Sequence, residues 1–363
     1  MKNKFIYASL CSGVGGFETA LNSLGGECVF ASEIDAYAQK SYTALYGNDV
    51  LHGDITKVDA RVIPKHDLLV AGIPCQSFSV NGKRGGFEDA RGTLFFDVAR
   101  VAQHHQPKVI LIENVKGLIG HEKGKTIDTM VKVFNDIGYR VDFEVLNSKY
   151  FGVPQNRERI FLIAVREDLV KNEVWSKIEG KKVALKGKQR IIQYEGVKTF
   201  NFNFPQEISV TTTIGDILES DVDESFYLPD NVFNQLMHTV PNHSDNKLLI
   251  KEAVKKGYSE AYIGDAVNFR FPTSKTRRGR VGANKLANTI EAAGVNQGVV
   301  TEDLRIRRFT PLEYWRLQGF TDEQHELVEL AGLSNNQRYK QAGNAVTVNV
   351  VRAIGEELLK YLL

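Results

Sequence analysis

Short apolar runs alternate with amphipathic stretches through the first 165 residues of the chain. The runs at 5–9, 28–32, 67–72, 109–113, 141–146 and 159–165 are predicted strands, and the stretches at 17–24, 36–46, 94–104 and 126–137 carry helical spacing. Strands that alternate with helices predict an α/β fold: a doubly wound, mostly parallel sheet covered on both faces. Ligands in such sheets bind at the carboxyl ends of the strands, so chemistry is expected there. After about residue 165 the alternation stops. A lysine-rich stretch (Lys177, Lys181, Lys182, Lys186, Lys188) leads into irregular sequence with scattered Gly, Asn and Thr. The expected division is therefore 1–184 plus 335–363, with a smaller irregular domain over 185–334. From Tyr339 the pattern reads as a loop followed by a helix over 348–363. There are no internal repeats or low-complexity tracts.

At 363 residues, 42% of them hydrophobic, the chain can bury a substantial core without disulfides or a structural metal. Its three cysteines, Cys11, Cys28 and Cys75, lack metal-ligand spacing, and their odd number argues against a disulfide framework. No metal is expected, and a reducing cytoplasm fits. No apolar run approaches the length needed to cross a bilayer. The glycines at 13, 15 and 16 and Glu18 interrupt the N-terminal apolar stretch too early for a secretion signal, so a buried first strand is expected. A net charge of +2 does not announce a polyanionic partner, but its distribution is uneven. Arg270, Lys275, Arg277, Arg278, Arg280 and Lys285 fall between residues 270 and 290 with no Asp or Glu among them. That stretch reads equally as a polyanion-binding patch or as a solvated basic loop.

The first strand runs into Ser12-Gly13-Val14-Gly15-Gly16-Phe17. Glycines there let the backbone approach a ligand and open a helix N-terminus toward it, although G-x-G-G is also ordinary turn chemistry. Glu33 ends the second strand, 20 residues after Gly13, where such folds place an acceptor for ribose hydroxyls. Asp54 ends a short third candidate strand, within reach of an adenine amino group. Each carboxylate alone reads as a helix cap or surface charge; with the glycine loop, the pair favours an adenosine-type cofactor. Thr19 stands where a full G-x-G-x-x-G would have its last glycine, which argues against a nicotinamide dinucleotide.

The fourth strand ends in Ile73-Pro74-Cys75-Gln76. A cysteine just past a strand end is well placed to attack a substrate, but a free cysteine is more often a small buried hydrophobe. In Leu111-Ile112-Glu113-Asn114-Val115 a carboxyl closes an apolar strand, where burial would raise its pKa and suit it to act as an acid. In Gln155-Asn156-Arg157-Glu158-Arg159 the two arginines can face opposite ways if the segment is extended, unless the cluster is only a surface ion-pair network.

These segments resemble, in order, the motifs of the bacterial cytosine-C5 DNA methyltransferases of the restriction–modification type. Gly92-Thr93-Leu94-Phe95, Gln341-Ala342-Gly343-Asn344-Ala345-Val346, and Arg307-Phe309-Thr310-Pro311 with Leu317-Gln318-Gly319-Phe320 complete the series. The resemblance covers nearly the whole chain except about 185–285, and an ordered series is far more specific than any one motif.

The resemblance implies a fold for S-adenosylmethionine-dependent methyl transfer, with 185–334 as the target-recognition domain. S-adenosyl-L-methionine would be the cofactor, with Glu33 on the ribose and Asp54 on the adenine. Ser12, Gly13, Gly15, Gly16, Phe17, Ile55, Pro74, Leu94, Asn344 and Val346 would line the same pocket. Many members have an aromatic residue where Cys11 sits, and some a Trp where Ile34 sits, so weaker cofactor affinity is expected here. The catalytic set would be Cys75, Glu113, Arg157 and Arg159: Cys75 adds to carbon 6 of cytosine, Glu113 serves N3, Arg159 holds the ring oxygen, and Arg157 supports the fold around it. A target inside duplex DNA would have to be flipped out. Residues 77–91 suit a mobile lid, with Ser79, Lys83, Arg84 and Arg91 on the DNA. Lys275, Arg277, Arg278 and Arg280, together with Arg270, are candidates for phosphate or guanine contacts.

Double-stranded DNA would be the partner, with a cognate restriction endonuclease acting on the same site, no membrane association and a monomeric state. Rival readings are the same chemistry on a transfer RNA, a dead core used as a sequence-specific DNA binder, and a thiol enzyme on a small molecule. The long segment between Arg166 and Arg307 favours DNA over the first; intact Cys75, Glu113 and Arg159 argue against the second. The basic patch is unexplained by the third. Replacing Lys83 and Arg84 together by Ala should lower DNA affinity and make its salt dependence shallower, measured as the slope of log K against log salt. An unchanged slope would remove the lid from the DNA interface.

Overall fold

The computed structural model describes residues 4–73, 94–176, 178–207, 209–240 and 246–363. Its first unit comprises Met1–Leu146, Glu158–Glu207 and Val350–Leu363, and its second Asn147–Arg157 and Ile208–Asn349.

The first unit opens with β1 (Phe5–Leu10), α1 (Gly16–Ser23), β2 (Gly26–Ser32), α2 (Ala36–Tyr46), β3 (Leu51–His52) and β4 (Leu68–Gly72). Then come α3 (Leu94–His105), β5 (Val109–Val115), α4 (Lys125–Asp136) and β6 (Tyr139–Asn147); a two-residue strand of the second unit, β7 (Gln155–Asn156), precedes β8 (Glu158–Arg166). Seven strands form one sheet in the order β3-β2-β1-β4-β5-β8-β6. The pairs β2/β3, β1/β2, β1/β4 and β4/β5 are parallel, while β8 runs antiparallel to β5. The expected mostly parallel sheet is therefore present, and the strands match the apolar runs to within two residues at each end. The central strands carry unbroken apolar sequence because both faces are covered: Leu68, Leu69, Val70 and Leu111 are fully buried. The helices contribute one stripe each. Phe95 and Val98 of α3 meet Met130 and Phe134 of α4 in the same cluster, with the Phe95 and Phe134 rings edge-on at 5.4 Å.

The division between units falls elsewhere than at 184/185. Helix α5 (Val183–Ile191) belongs to the sheet unit, because Arg190 Nη2 lies 2.7 Å from Asp128 of α4 and Lys188 Nζ lies 2.7 Å from Asp142 of β6. The Lys188 ammonium also faces the Phe143 and Trp175 rings at 5.6 and 5.5 Å. A lysine in a solvated basic stretch would not be enclosed in this way.

The second unit has little regular structure, as expected. It holds α6 (Asp230–Leu236), β9 (Lys247–Lys251), β10 (Tyr258–Tyr262), β11 (Ala266–Asn268), β12 (Ala287–Asn288), β13 (Gln297–Val300) and β14 (Ile306–Arg308). Strands β9 and β10 form a hairpin, and β11-β13-β14 a small antiparallel sheet. Three short helices follow: α7 (Pro311–Arg316), α8 (Asp322–Leu330) and α9 (Asn335–Asn344), before α10 (Val348–Leu362). Residues 335–349 therefore join this unit, contrary to the expected division. Trp315 Nε1 donates to Arg338 O at 3.1 Å and Gln318 Nε2 to Ala342 O at 2.6 Å. The loop expected from Tyr339 is helical as far as Asn344, because Ser334 caps α9 by accepting from Gln337 N. Among the described residues no helix is long and apolar enough to cross a membrane.

The Lys188–Asp142 pair is testable. Lys188→Ala leaves a buried carboxylate without its cation and should cost about 3–5 kcal/mol in urea unfolding. Lys188→Met combined with Asp142→Asn, which removes both charges and keeps an acceptor for Phe202 N, should recover most of that loss.

Candidate active site

The turn after β1 is built on left-handed backbone, with Cys11 at φ 55°, Gly13 at 59° and Gly15 at 83°. Ser12 fixes it from below. Its N–H donates to Ser32 O at 2.9 Å and its hydroxyl to Ser9 Oγ at 2.9 Å, while its carbonyl accepts from Gly15 N at 2.9 Å. At Gly15 a side chain would strike the Tyr46 ring, whose hydroxyl donates to Gly15 O at 2.7 Å. At Gly13 a Cβ would meet nothing within 4 Å, so the loop leaves open space on that side. Gly16 and Phe17 begin α1, and Phe17 is fully buried, its ring packed toward Gly72.

Glu33 closes this loop. Its Oε2 accepts from Gly13 N at 2.8 Å, and its Oε1 accepts from Ile34 N and Asp35 N, each at 2.8 Å. A carboxylate offers about four lone-pair sites, so three backbone donors leave room for a hydroxyl. Asp54 lies two residues past β3 and caps the 3-10 turn Ile55–Lys57, with Oδ1 accepting from Thr56 N at 3.0 Å and Thr56 Oγ1 at 2.8 Å. Those bonds hold its carboxyl below the ordinary range. Among the described residues Oδ2 faces Lys57, at 3.7 Å, and it can accept a further donor. Asp54 is thus a cap, as it reads alone, with acceptor capacity to spare. Left-handed glycines, open space at Gly13 and two part-used carboxylates at successive strand ends fit the ribose and base of an adenosine-type cofactor. Ile55 is buried behind this turn, and Leu94 starts α3 half-buried. Asn344, exposed, ends α9, and Val346, buried, follows it in the second unit.

The central strand carries the charged pair. In the β5/β8 ladder Glu113 stands opposite Phe161 and Val115 opposite Arg159, so Arg159 is diagonal to Glu113 and within reach of a long side chain. Arg159 Nε lies 3.1 Å from Glu113 Oε1, with both side chains more than four-fifths buried. Asn114 points the other way. Its Nδ2 donates to Ile73 O at 2.7 Å and its Oδ1 accepts from Val115 N at 2.8 Å. It thereby fixes the backbone that leads to Pro74 and Cys75, a role the sequence reading missed; the only local signal was its place beside Glu113. Cys75, Pro74, Ser79, Lys83, Arg84 and Arg91 lie outside the described residues.

Arg157 and Arg159 do diverge. The Arg157 guanidinium is buried and donates to Ile290 O (3.1 Å), Gly343 O (3.2 Å) and Ala345 O (2.9 Å). Its place in the catalytic set is corrected to that of a positioning residue. Arg280 is also corrected. It is fully buried and donates to Phe271 O at 2.8 Å and Arg270 O at 3.3 Å, so it cannot reach DNA. Arg270 pairs with Glu291. Lys275 and Arg278 are exposed and Arg277 is half-buried, with Arg278 Nε donating to Ala253 O at 2.9 Å.

Glu18 on α1 escaped the sequence reading. It is fully buried among the Ser9, Ser12 and Tyr42 hydroxyls, and burial pushes its carboxyl up to about 7. Tyr7, Cys28 and Tyr46 stand around the same site.

Comparison with known proteins adds a lineage to this geometry. The model for C-5 cytosine-specific DNA methylase matches residues 5–360. The orphan methyltransferase M.SPRI of Bacillus phage SPR is 38% identical, covering 97% of this chain and 96% of that protein. The type II methyltransferase M.HpaII of Haemophilus parainfluenzae is 36% identical, covering 100% and 91%. The crystal structure of the S. pombe Dnmt2 methyltransferase superimposes with a TM-score of 0.62 at 21% identity, covering 98% of each chain, which speaks to the fold alone.

The raised Glu18 carboxyl has a definite sign. Folding takes up a proton between an ordinary carboxyl pKa of about 4.3 and about 7, so this contribution to stability is present below the first and lost as pH rises through the second. Urea unfolding of Glu18→Gln at pH 5 and pH 8 should show less loss on raising pH than the parent chain.

Proposed function

The chain belongs to the C-5 cytosine-specific DNA methylases and is a DNA (cytosine-5-)-methyltransferase, and from that premise we propose that it methylates a cytosine flipped out of a specific short double-stranded sequence, through a covalent Cys75 adduct. The observation that carries this reading is the Glu113–Arg159 pair at 3.1 Å, at the carboxyl end of the central strand and next in register to the strand that leads into Cys75.

S-adenosylmethionine, which this family uses in general, supplies when bound a methyl group on a sulfonium. Glu33 would accept from its ribose hydroxyls and Asp54 from its adenine amino group. Carbon 5 of cytosine is too weak a nucleophile by itself. The Cys75 thiolate therefore adds to carbon 6, and the 5,6 electron pair becomes that of an enamine reactive at carbon 5. Glu113, protonated, donates its proton to N3 as negative charge develops there. Arg159 donates to the carbonyl oxygen at carbon 2, orients the base and stabilises the Glu113 carboxylate that the proton transfer leaves. Carbon 5 would take the methyl group with loss of the neutral thioether S-adenosylhomocysteine; a base then removes the carbon 5 proton, the 5,6 double bond re-forms and the Cys75 sulfur leaves as thiolate. Flipping costs a few kcal/mol of stacking and pairing, supplied by contacts to the displaced strand.

Incubation of unmethylated genomic DNA with the protein and S-adenosylmethionine, followed by bisulfite sequencing, should show protected cytosines clustered in one short motif. Protection should vanish with Cys75→Ala. Folded, cofactor-binding protein that protects nothing would overturn DNA as the substrate and make transfer RNA the next to test. Asn114→Ala frees the Ile73 carbonyl and should lower kcat roughly tenfold, the effect of about 1.4 kcal/mol, with KM for the cofactor unchanged. A rise in KM with kcat intact would assign Asn114 to cofactor binding.

A further inference from the structure

The loop between β11 and the bridge at Val281 is closed at its base and pinned from inside. Asn268 N donates to Arg280 O at 2.6 Å, and Val267 pairs with Val281. The Arg280 side chain then turns under the loop. Its Nη1 donates to Asn268 O (3.4 Å) and Arg270 O (3.3 Å), and its Nη2 to Phe271 O (2.8 Å) and Ser274 O (3.5 Å). Ser274 N donates to the same Phe271 carbonyl at 2.9 Å. A guanidinium taken fully out of water for four carbonyls is a costly way to shape a surface loop, and it over-determines the backbone there.

What it holds in place is Phe271. This residue has φ 54°, in the left-handed region that a bulky side chain disfavours, and its ring is 60% exposed. Both features are unfavourable for the folded chain alone, and strained backbone of this kind persists where a function uses it. One face of the ring lies 5.1 Å from the Arg270 guanidinium, which Glu291 anchors. The same loop exposes Thr273, Lys275, Thr276 and Arg278, and its own sequence from Arg270 to Arg280 holds no Asp or Glu, although Gly279 N donates to the Glu252 carboxylate. The loop that carries the exposed ring thus also carries exposed cations and hydroxyls that can meet phosphates.

Building on the DNA-methylating reading, we propose that the Arg280-pinned loop 270–279 reads the target sequence, and that Phe271 stacks on a base exposed at the recognition site. Base–aromatic stacking needs the flat apolar face that Phe271 presents, and Lys275 and Arg278 fix register on the backbone. Arg280 acts through the loop and is a positioning residue.

The test compares the parent chain with Phe271→Gly and Phe271→Leu by bisulfite sequencing of the same unmethylated DNA, with thermal unfolding and cofactor binding as controls. Glycine relieves the left-handed backbone, so Phe271→Gly should unfold at the same temperature or higher and bind S-adenosylmethionine unchanged. Methylation of the motif should nonetheless fall at least tenfold, or spread to sites that differ at one position. Phe271→Leu keeps an apolar side chain without the ring and should share the defect. Parent-like rate and motif in Phe271→Gly would overturn the proposal. A parent chain that protects no cytosine would instead overturn the underlying DNA reading, and this inference with it.

Discussion

The pairing of β5 with its two neighbours is the constraint on which the site depends. Its parallel register with β4 sets Gly72 opposite Glu113, and its antiparallel register with β8 sets Val115 opposite Arg159. Successive strand residues point to opposite faces, so Glu113 and Asn114 are committed to different tasks. One meets the Arg159 guanidinium; the other holds the Ile73 carbonyl. A slip of one residue would exchange the two faces and lose both interactions together. The residues of β5 before Glu113 are apolar and buried on both faces, so these two polar contacts are what distinguish its register.

The two units satisfy their buried backbone by different means. In the first, the sheet and helices do so through their own ladders, and the described buried charges include pairs such as Lys188–Asp142. The second has short strands and long irregular connections, whose carbonyls would be left without donors. Buried arginines supply them. Arg157 serves the carbonyls of Ile290, Gly343 and Ala345, and Arg280 those of the loop at 268–274. Arg307 meets Glu313 at 2.7 Å, and Glu313 in turn accepts from Thr310 N at the start of α7. Five donors on one planar group suit carbonyls that converge without regular spacing, which lysine could not match. Arginine content in this unit therefore reports architecture as much as affinity for DNA.

This dual use explains where the sequence was legible and where it was not. The strands of the first unit announced themselves because double-sided burial demands unbroken apolar runs, and Gly13 and Gly15 because left-handed backbone favours glycine. Glu33, Glu113 and Arg159 were legible as candidates from their positions at strand ends within an ordered series of motifs. Arg280 was misread because a charged side chain in a basic stretch looks solvated, and only the fold around it decides otherwise. The Tyr339 segment was misread for a related reason: its helix has a polar sequence and is held by Trp315 and Gln318, more than twenty residues away.

The sequence by itself determined the sheet, the glycine turn and the residue types available for methyl transfer, since each follows from local sterics, periodicity or motif order. Tertiary structure alone decided which charges are buried. Burial depends on what other parts of the chain bring alongside, and that made Lys188, Arg157 and Arg280 internal, raised the Glu18 carboxyl and left Phe271 standing in solvent.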